Sequence, residues 1–191
     1  MAFRYEVRFS GAGGQGLILA GKVLAEAAAI YDDKNATQSQ SYGPEARGGA
    51  SRSEVIISDV DIDYPKAENI DCLLALTQES CDKYSADLKP GGILLVDSQY
   101  VKKLPPGDFR TYEVPITNIA ERETGKTMVA NIVALGLVTE LSGVVSEEAI
   151  RTAILARVPK GTEELNLKAF EAGLEAARGY EDKASGKQKA S

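Results

Sequence analysis

The segment Gly11-Ala12-Gly13-Gly14-Gln15-Gly16 narrows the folding options of this chain more than any other. It carries glycines at G-x-G-x-x-G spacing, and its flanks give that spacing meaning. Before it, Tyr5-Glu6-Val7-Arg8-Phe9 alternates apolar and polar residues, the period of a strand. After it, from about Leu17 to Ile30, Ala20, Val23, Leu24, Ala27 and Ala28 recur at helical spacing. Lys22 and Glu26 fall on the opposite side of that helix. Strand, glycine turn and helix in this order form the phosphate-binding turn of nucleotide folds. The glycines permit a sharp turn, close approach of a phosphate and tight packing of helix on strand. The helix start adds free N–H groups and the positive end of a dipole.

The rest of the chain repeats the alternation of strand and helix. Ala36 to Gln40 reads as a short polar strand, and Ser53 to Ser58 as a stronger, β-branched one. Cys72-Leu73-Leu74-Ala75-Leu76 and Ile93-Leu94-Leu95-Val96 are continuous apolar runs, as strands buried on both faces of a parallel sheet require. Gln78 to Leu88 reads as a helix stopped by Lys89-Pro90-Gly91-Gly92, and Arg110 to Val114 as a last short strand. Thr127 to Ser142 is apolar nearly all round and predicts a buried helix stopped by Gly143. Ser146 and Thr162 each precede paired acids and open two further helices, to about Arg157 and Tyr180. The pattern predicts an α/β, Rossmann-like three-layer sandwich with a mainly parallel sheet. A single domain is expected over residues 3–180, with a flexible polar tail over 181–191.

Composition limits the chemistry. The chain of 191 residues has no histidine and two cysteines, Cys72 and Cys81. This excludes a Ser-His-Asp or Cys-His nucleophile, a histidine-ligated metal and a four-cysteine cluster, so no metal site is expected. The net charge of −6 opposes general binding to nucleic acid. The N-terminus lacks an apolar signal core, and Met128 to Leu141 is too short and too interrupted to span a bilayer. A cytoplasmic protein without membrane or nucleic-acid partners is expected.

Two segments are candidate sites. The first is the glycine loop, with Gly11, Gly13, Gly14, Gln15 and Gly16 as a cofactor- or anion-binding turn. NAD itself is disfavoured, because the second strand ends in Gln38-Ser39-Gln40 and not in an acid that could hold ribose hydroxyls. The second is the loop Tyr42-Gly43-Pro44-Glu45-Ala46-Arg47-Gly48-Gly49. Eight of the 18 glycines fall between Gly11 and Gly49, which concentrates irregular backbone at the carboxyl ends of the first two strands. Arg47 between such residues suits a carboxylate, a phosphate or an acid of a partner. No catalytic residue is identified. Asp97-Ser98 at a strand end could face the same crevice or form an ordinary turn. Cys72 and Cys81 read as core or helix residues and not as reactive thiols, Asn131 as a satisfied core asparagine in preference to one that bonds a loop, and Glu121, Arg122 and Glu123 as a solvated helix face.

Taken together, these motifs resemble one family. Gly-Ala-Gly-Gly-Gln-Gly-Leu with the following Ala-Gly-Lys-Val-Leu-Ala-Glu-Ala helix is similar to the gamma subunit of the 2-oxoacid:ferredoxin oxidoreductases. So are Thr37-Gln-Ser-Gln-Ser-Tyr-Gly-Pro-Glu-Ala-Arg-Gly-Gly-Ala-Ser-Arg-Ser-Glu-Val, Asp61-Ile-Asp-Tyr-Pro65, Lys89-Pro-Gly-Gly92 and Asn166-Leu-Lys-Ala-Phe-Glu-Ala-Gly173. The likeness extends from about Val7 to Gly173, and the Tyr42 to Gly49 segment is most like the 2-oxoglutarate enzymes. The resemblance implies an accessory subunit, inactive alone, of an enzyme that decarboxylates a 2-oxoacid to its acyl-CoA. It implies thiamine diphosphate, iron–sulfur clusters and coenzyme A in the full complex, none bound by this chain alone. Alpha, beta and possibly delta subunits are the implied partners, with ferredoxin as acceptor. A free-standing NAD(P) oxidoreductase, an anion- or CoA-binding regulatory module, and pyruvate or ketoisovalerate as substrate are the alternatives.

Overall fold

The computed structural model describes residues 2–41 and 49–188, with side chains as far as residue 180. Six strands form one sheet: β1 (Arg4–Ala12), β2 (Asn35–Ser41), β3 (Ala50–Ser58), β4 (Ile70–Ala75), β5 (Leu88–Asp97) and β6 (Arg110–Val114). Their order across the sheet is β2-β3-β1-β4-β5-β6. The pairings β1–β4, β4–β5 and β5–β6 are parallel, whereas β3 runs antiparallel to both β1 and β2. The sheet is therefore mixed, with β3 alone reversed. A β2–β3 pair replaces the second parallel crossover that strand–helix alternation would supply. It leaves the carboxyl ends of β1, β2, β4, β5 and β6 on one edge, where open α/β sheets bind ligands.

Helices cover both faces. The first is α1 (Leu17–Glu26), which continues through a π-turn at Ala27–Tyr31. It packs with α3 (Ile116–Thr124), α4 (Ala130–Ser142), α5 (Glu147–Arg157) and α6 (Glu163–Gln188) over Val7, Phe9, Val55 and Leu74. The other face is thinner. There α2 (Gln78–Tyr84) places Cys81 and Tyr84 on Leu73, Leu94 and Ile56, with Ala67 and Val101 completing the cluster. The all-round apolar helix is found as expected: α4 is buried along nearly its whole length. It begins one turn late, after a 3₁₀ turn at Thr127–Val129, and Gly143 ends it in the left-handed region at φ 60°. Where α4 crosses α6, Gly136 meets the backbone of Phe170, Gly173 and Leu174, so the two helices touch main chain to main chain.

Further boundaries differ from the sequence expectation, and β3 also starts earlier, at Ala50. The helix expected over Gln78 to Leu88 ends at Tyr84, and Leu88 to Gly92 already belongs to β5. Pro90 is tolerated there because the β4–β5 register shifts between Ile70 and Cys72. Gly91, at φ 76°, turns aside and donates its N–H to the Asp108 carbonyl at 2.6 Å. The last helix runs to Gln188, beyond the expected end near Tyr180. Its polar composition carries no stop signal such as a proline.

The caps follow the sequence. Thr77 and Ser80 form a reciprocal capping box on α2. Ser146 caps α5 by accepting the Ala149 N–H at 3.2 Å, and Asp32 in turn accepts the Ser146 N–H and hydroxyl, each at 2.6 Å. Burial alone would raise the Asp32 carboxyl. The Ser146 hydroxyl and N–H, with Lys34, outweigh it and hold the acid below its usual range. A lowered acid adds stability above its unfolded pKa and loses it as pH falls through the folded value. Asp32→Asn should therefore destabilise the protein at neutral pH. The gap from the parent should close on acidification, as read from urea midpoints across the carboxylate range.

Candidate functional site

The glycine loop adopts the geometry its composition suggests. Gly14 and Gly16 lie in the left-handed region at φ 84° and 73°, where side chains are strained. A Cβ at Gly11 would meet the Gln15 side chain and, at 3.2 Å, Leu76 at the end of β4. Gln15 folds back inside the turn, and its Oε1 accepts the Ala12 N–H at 2.7 Å. Gly16 starts α1 with no side-chain cap. Its carbonyl accepts the Asn131 Nδ2–H at 3.1 Å, so the buried asparagine of α4 latches the loop from behind. Gly21, one turn into α1, lies against Ser53 of β3 and provides the close helix–strand approach. Gly13 and Gly14 are exposed, with open space above them.

Two hollows flank the loop. One of about 250 Å³ lies between the carboxyl ends of β1, β4 and β5 and the starts of α3 and α4, with Gln15, Leu76, Tyr100, Thr117 and Met128 in its wall. The other, of about 340 Å³, runs from Ala12 to Ile18 and reaches Ser51. Among the described residues no charged side chain lines either one. These walls offer backbone donors, hydroxyls and an amide, which suit binding. They contain no general acid or base near neutrality and no strong nucleophile. Among the described residues no three Cys, Asp or Glu are grouped to hold a metal ion. The end of β2 is Ser41, and the strand beside β1 at this edge is the reversed β3, which starts at Ala50. Among the described residues no strand-end acid is thus placed for a nucleotide ribose.

The model of the pyruvate ferredoxin/flavodoxin oxidoreductase family matches residues 6–176. The chain belongs to that family. The 2-oxoglutarate synthase subunit KorC of Methanocaldococcus jannaschii is 55% identical over 177 residues, covering 92% of this chain and 95% of that one. The KorC subunit of Methanothermobacter thermautotrophicus is 51% identical over 178 residues, covering 90% and 94%. A solved structure, the gamma subunit of a keto/oxoacid ferredoxin oxidoreductase from Geobacter sulfurreducens, superposes with a TM-score of 0.87 at 62% identity. It covers 93% of this chain and 98% of that one.

For a member of this oxidoreductase family, the remaining sequence candidates sort clearly. Tyr42, Gly43, Pro44, Glu45, Arg47 and Gly48 lie outside the described residues; Gly49 begins the approach to β3. Asp97 is not a crevice acid. It is buried and accepts the Thr117 N–H and hydroxyl at 3.0 and 2.6 Å and the Gln99 N–H at 3.0 Å, so it ties β5 to α3. Cys72 and Cys81 are both buried, and burial pushes their thiols up to about 12 and about 11. Neither should react with a thiol reagent at pH 8 until the protein is unfolded, when both should label; mass spectrometry reads the difference.

The polar positions of β1 are the feature that sequence reading missed. Alternation alone does not say what covers Glu6, Arg8 and Ser10, and all three are buried. Arg8 donates to Glu54 at 2.7 Å and to Asp87 at 2.5 Å, and its guanidinium lies 5.2 Å from the centre of the Tyr84 ring. Glu6 accepts the Glu68 and Asn69 N–H groups at 2.9 and 2.8 Å. The signal was present in the opposite charges at Arg8 and Glu54, but it takes the antiparallel register of β1 and β3 to set them side by side.

Proposed function

We propose that this chain is the gamma subunit of a multi-subunit 2-oxoglutarate:ferredoxin oxidoreductase and carries no catalytic centre of its own. The enzyme oxidatively decarboxylates the 2-oxoacid to its acyl-CoA. The observation that carries this reading is identity above half to a 2-oxoglutarate synthase subunit along nearly the full length of both chains. The chemistry of the chain agrees with an accessory role. It has no histidine, its only two cysteines lie in the core, and the described residues lining the hollows beside its glycine loop are uncharged. Its described residues do not fit an iron–sulfur cluster, which needs accessible thiolates in a set. Thiamine diphosphate, the clusters and coenzyme A belong in this reading to the assembled enzyme. Alpha and beta subunits, with delta as an optional third, are the partners, and ferredoxin takes the electrons.

Two of the chain's own segments are assigned within that reading. The glycine loop, Gly11 to Gly16, is an anion-binding or packing turn at the sheet edge. The loop from Tyr42 to Gly49 is a contact for a partner or ligand, with Arg47 as its charged member. The experiment that tests the reading is purification of the tagged chain from its native cell at its native level. The co-purifying proteins should be the remaining subunits of one 2-oxoacid oxidoreductase in fixed ratio, identified by mass. Recovery of the chain alone, or with an unrelated enzyme, would overturn it.

A further inference from the structure

We propose that Arg52 is a docking arginine that receives a carboxylate from a partner subunit of the complex, an inference that rests on the gamma-subunit reading. Arg52 stands on β3 opposite Ser10 of β1 and Ser41 of β2, at the edge where the carboxyl ends of those strands lie. It faces the thin side of the sheet, where Tyr84 of α2 packs. Its guanidinium carbon is 5.3 Å from the Tyr84 ring centre; that of Arg8 is at 5.2 Å and the Lys83 ammonium at 5.4 Å. Three cations thus surround one ring. Glu54 and Asp87 are the anions of the cluster, and Arg8 engages both, at 2.6 and 2.5 Å. Arg52 is left with the remainder. Its Nε lies 3.4 Å from the Glu54 oxygen that Arg8 already holds. Among the described residues that Nε is the one buried side-chain nitrogen or oxygen without a hydrogen-bond partner.

With its Nε turned inward onto an oxygen shared with Arg8, Arg52 has the Nη side of its guanidinium left for an outside anion. Among the described residues of this cluster the excess is one positive charge, which one carboxylate balances. The two Nη groups of a guanidinium offer a planar fork that matches two carboxylate oxygens. Arg52 is about one-third exposed, at 32% of its side chain, so the open side is reachable. Ser39 and Ser41, both small and exposed, lie on the same face of β2. Arg52 lines neither hollow beside the glycine loop. A site on an open sheet face suits a side chain carried by another protein better than a small molecule needing enclosure.

The test uses the full-length chain and the other subunits of its own complex. Arg52→Met keeps an apolar stem on Tyr84 and removes the charge; Arg52→Lys keeps the charge and removes the fork; Arg122→Gln removes an exposed cation elsewhere. The isolated Arg52→Met chain should melt at the parental temperature or above, because an unpaired buried group has been removed. Its assembly should weaken by about tenfold or more, since a carboxylate on the partner is stranded. Arg52→Lys should weaken assembly by about threefold or more, and Arg122→Gln should assemble like the parent. Parental assembly by both Arg52 variants would overturn the proposal. So would a lower melting temperature in Arg52→Met with full recovery in Arg52→Lys, the mark of a purely structural arginine. A melting-temperature rise with inorganic phosphate that Arg52→Met abolishes would also overturn it, in favour of a small oxyanion. A parent chain that fails to join these subunits at all would overturn the gamma-subunit reading instead.

Discussion

Gly173→Ala should lower the stability of this chain by about 3 kcal/mol, the upper range for forcing a group into a filled core. A Cβ built on Gly173 would overlap the Val133 carbonyl oxygen and sit 3.0 Å from the Gly136 Cα. Both obstacles are backbone atoms of α4, so no rotamer change can relieve the overlap. The helices must separate, and α4 is the element around which much of the larger core is built. Alanine is intrinsically the better helix former by about 1 kcal/mol, but that gain is too small to offset the displacement. Gly179 is the control within the same helix. Nothing lies within 4 Å of the position a Cβ would take there, so Gly179→Ala should be neutral or stabilising. For a chain of this size the Gly173 variant should melt roughly 6–12 °C lower. Equal melting temperatures for the two variants would show that the α4–α6 crossing is looser than described.

Glu54→Ala should cost a similar amount, about 3–5 kcal/mol, for an electrostatic reason. Arg8 is only 2% exposed and Glu54 7%. Removing the carboxylate leaves a guanidinium in the interior with Asp87, at the edge of the cluster, as its remaining anion. The penalty belongs to the stranded charge more than to the lost bond. The double variant Arg8→Met with Glu54→Leu should therefore recover most of the loss, because both charges leave together. Urea titrations of the two single variants and the double variant give the coupling. Additive losses would mean that the pair does not act as a unit.

Much of this fold was legible because its strands obey simple rules. Cys72 to Leu76 and Ile93 to Val96 are apolar without interruption, and only strands covered on both faces tolerate that. The glycine turn was legible because its spacing, its preceding strand and its following helix agree. The direction of β3 was not, since nothing in Ser53 to Ser58 distinguishes a parallel strand from an antiparallel one. The Arg8–Glu54 pair was hidden for the same reason: its members lie 46 positions apart and only the β1–β3 register joins them. Asp97 was ambiguous because a strand-end acid can face a crevice or cap a turn, and only the position of Thr117 decides. Asn131 was read as a satisfied core asparagine in preference to one that bonds a loop; it is buried, and its partner is the Gly16 carbonyl of the glycine turn.

The central claim is that this chain contributes to a 2-oxoglutarate-oxidising enzyme without performing the chemistry itself. The direct measurement is reduction of ferredoxin or a viologen dye with 2-oxoglutarate and coenzyme A, by the chain alone, by its partner subunits without it, and by the reconstituted complex. The account predicts no turnover by the chain alone. It predicts full turnover only when all subunits are present, with 2-oxoglutarate preferred over pyruvate and ketoisovalerate. Robust reduction by the isolated chain, or a complex that turns over equally well without it, would contradict the account.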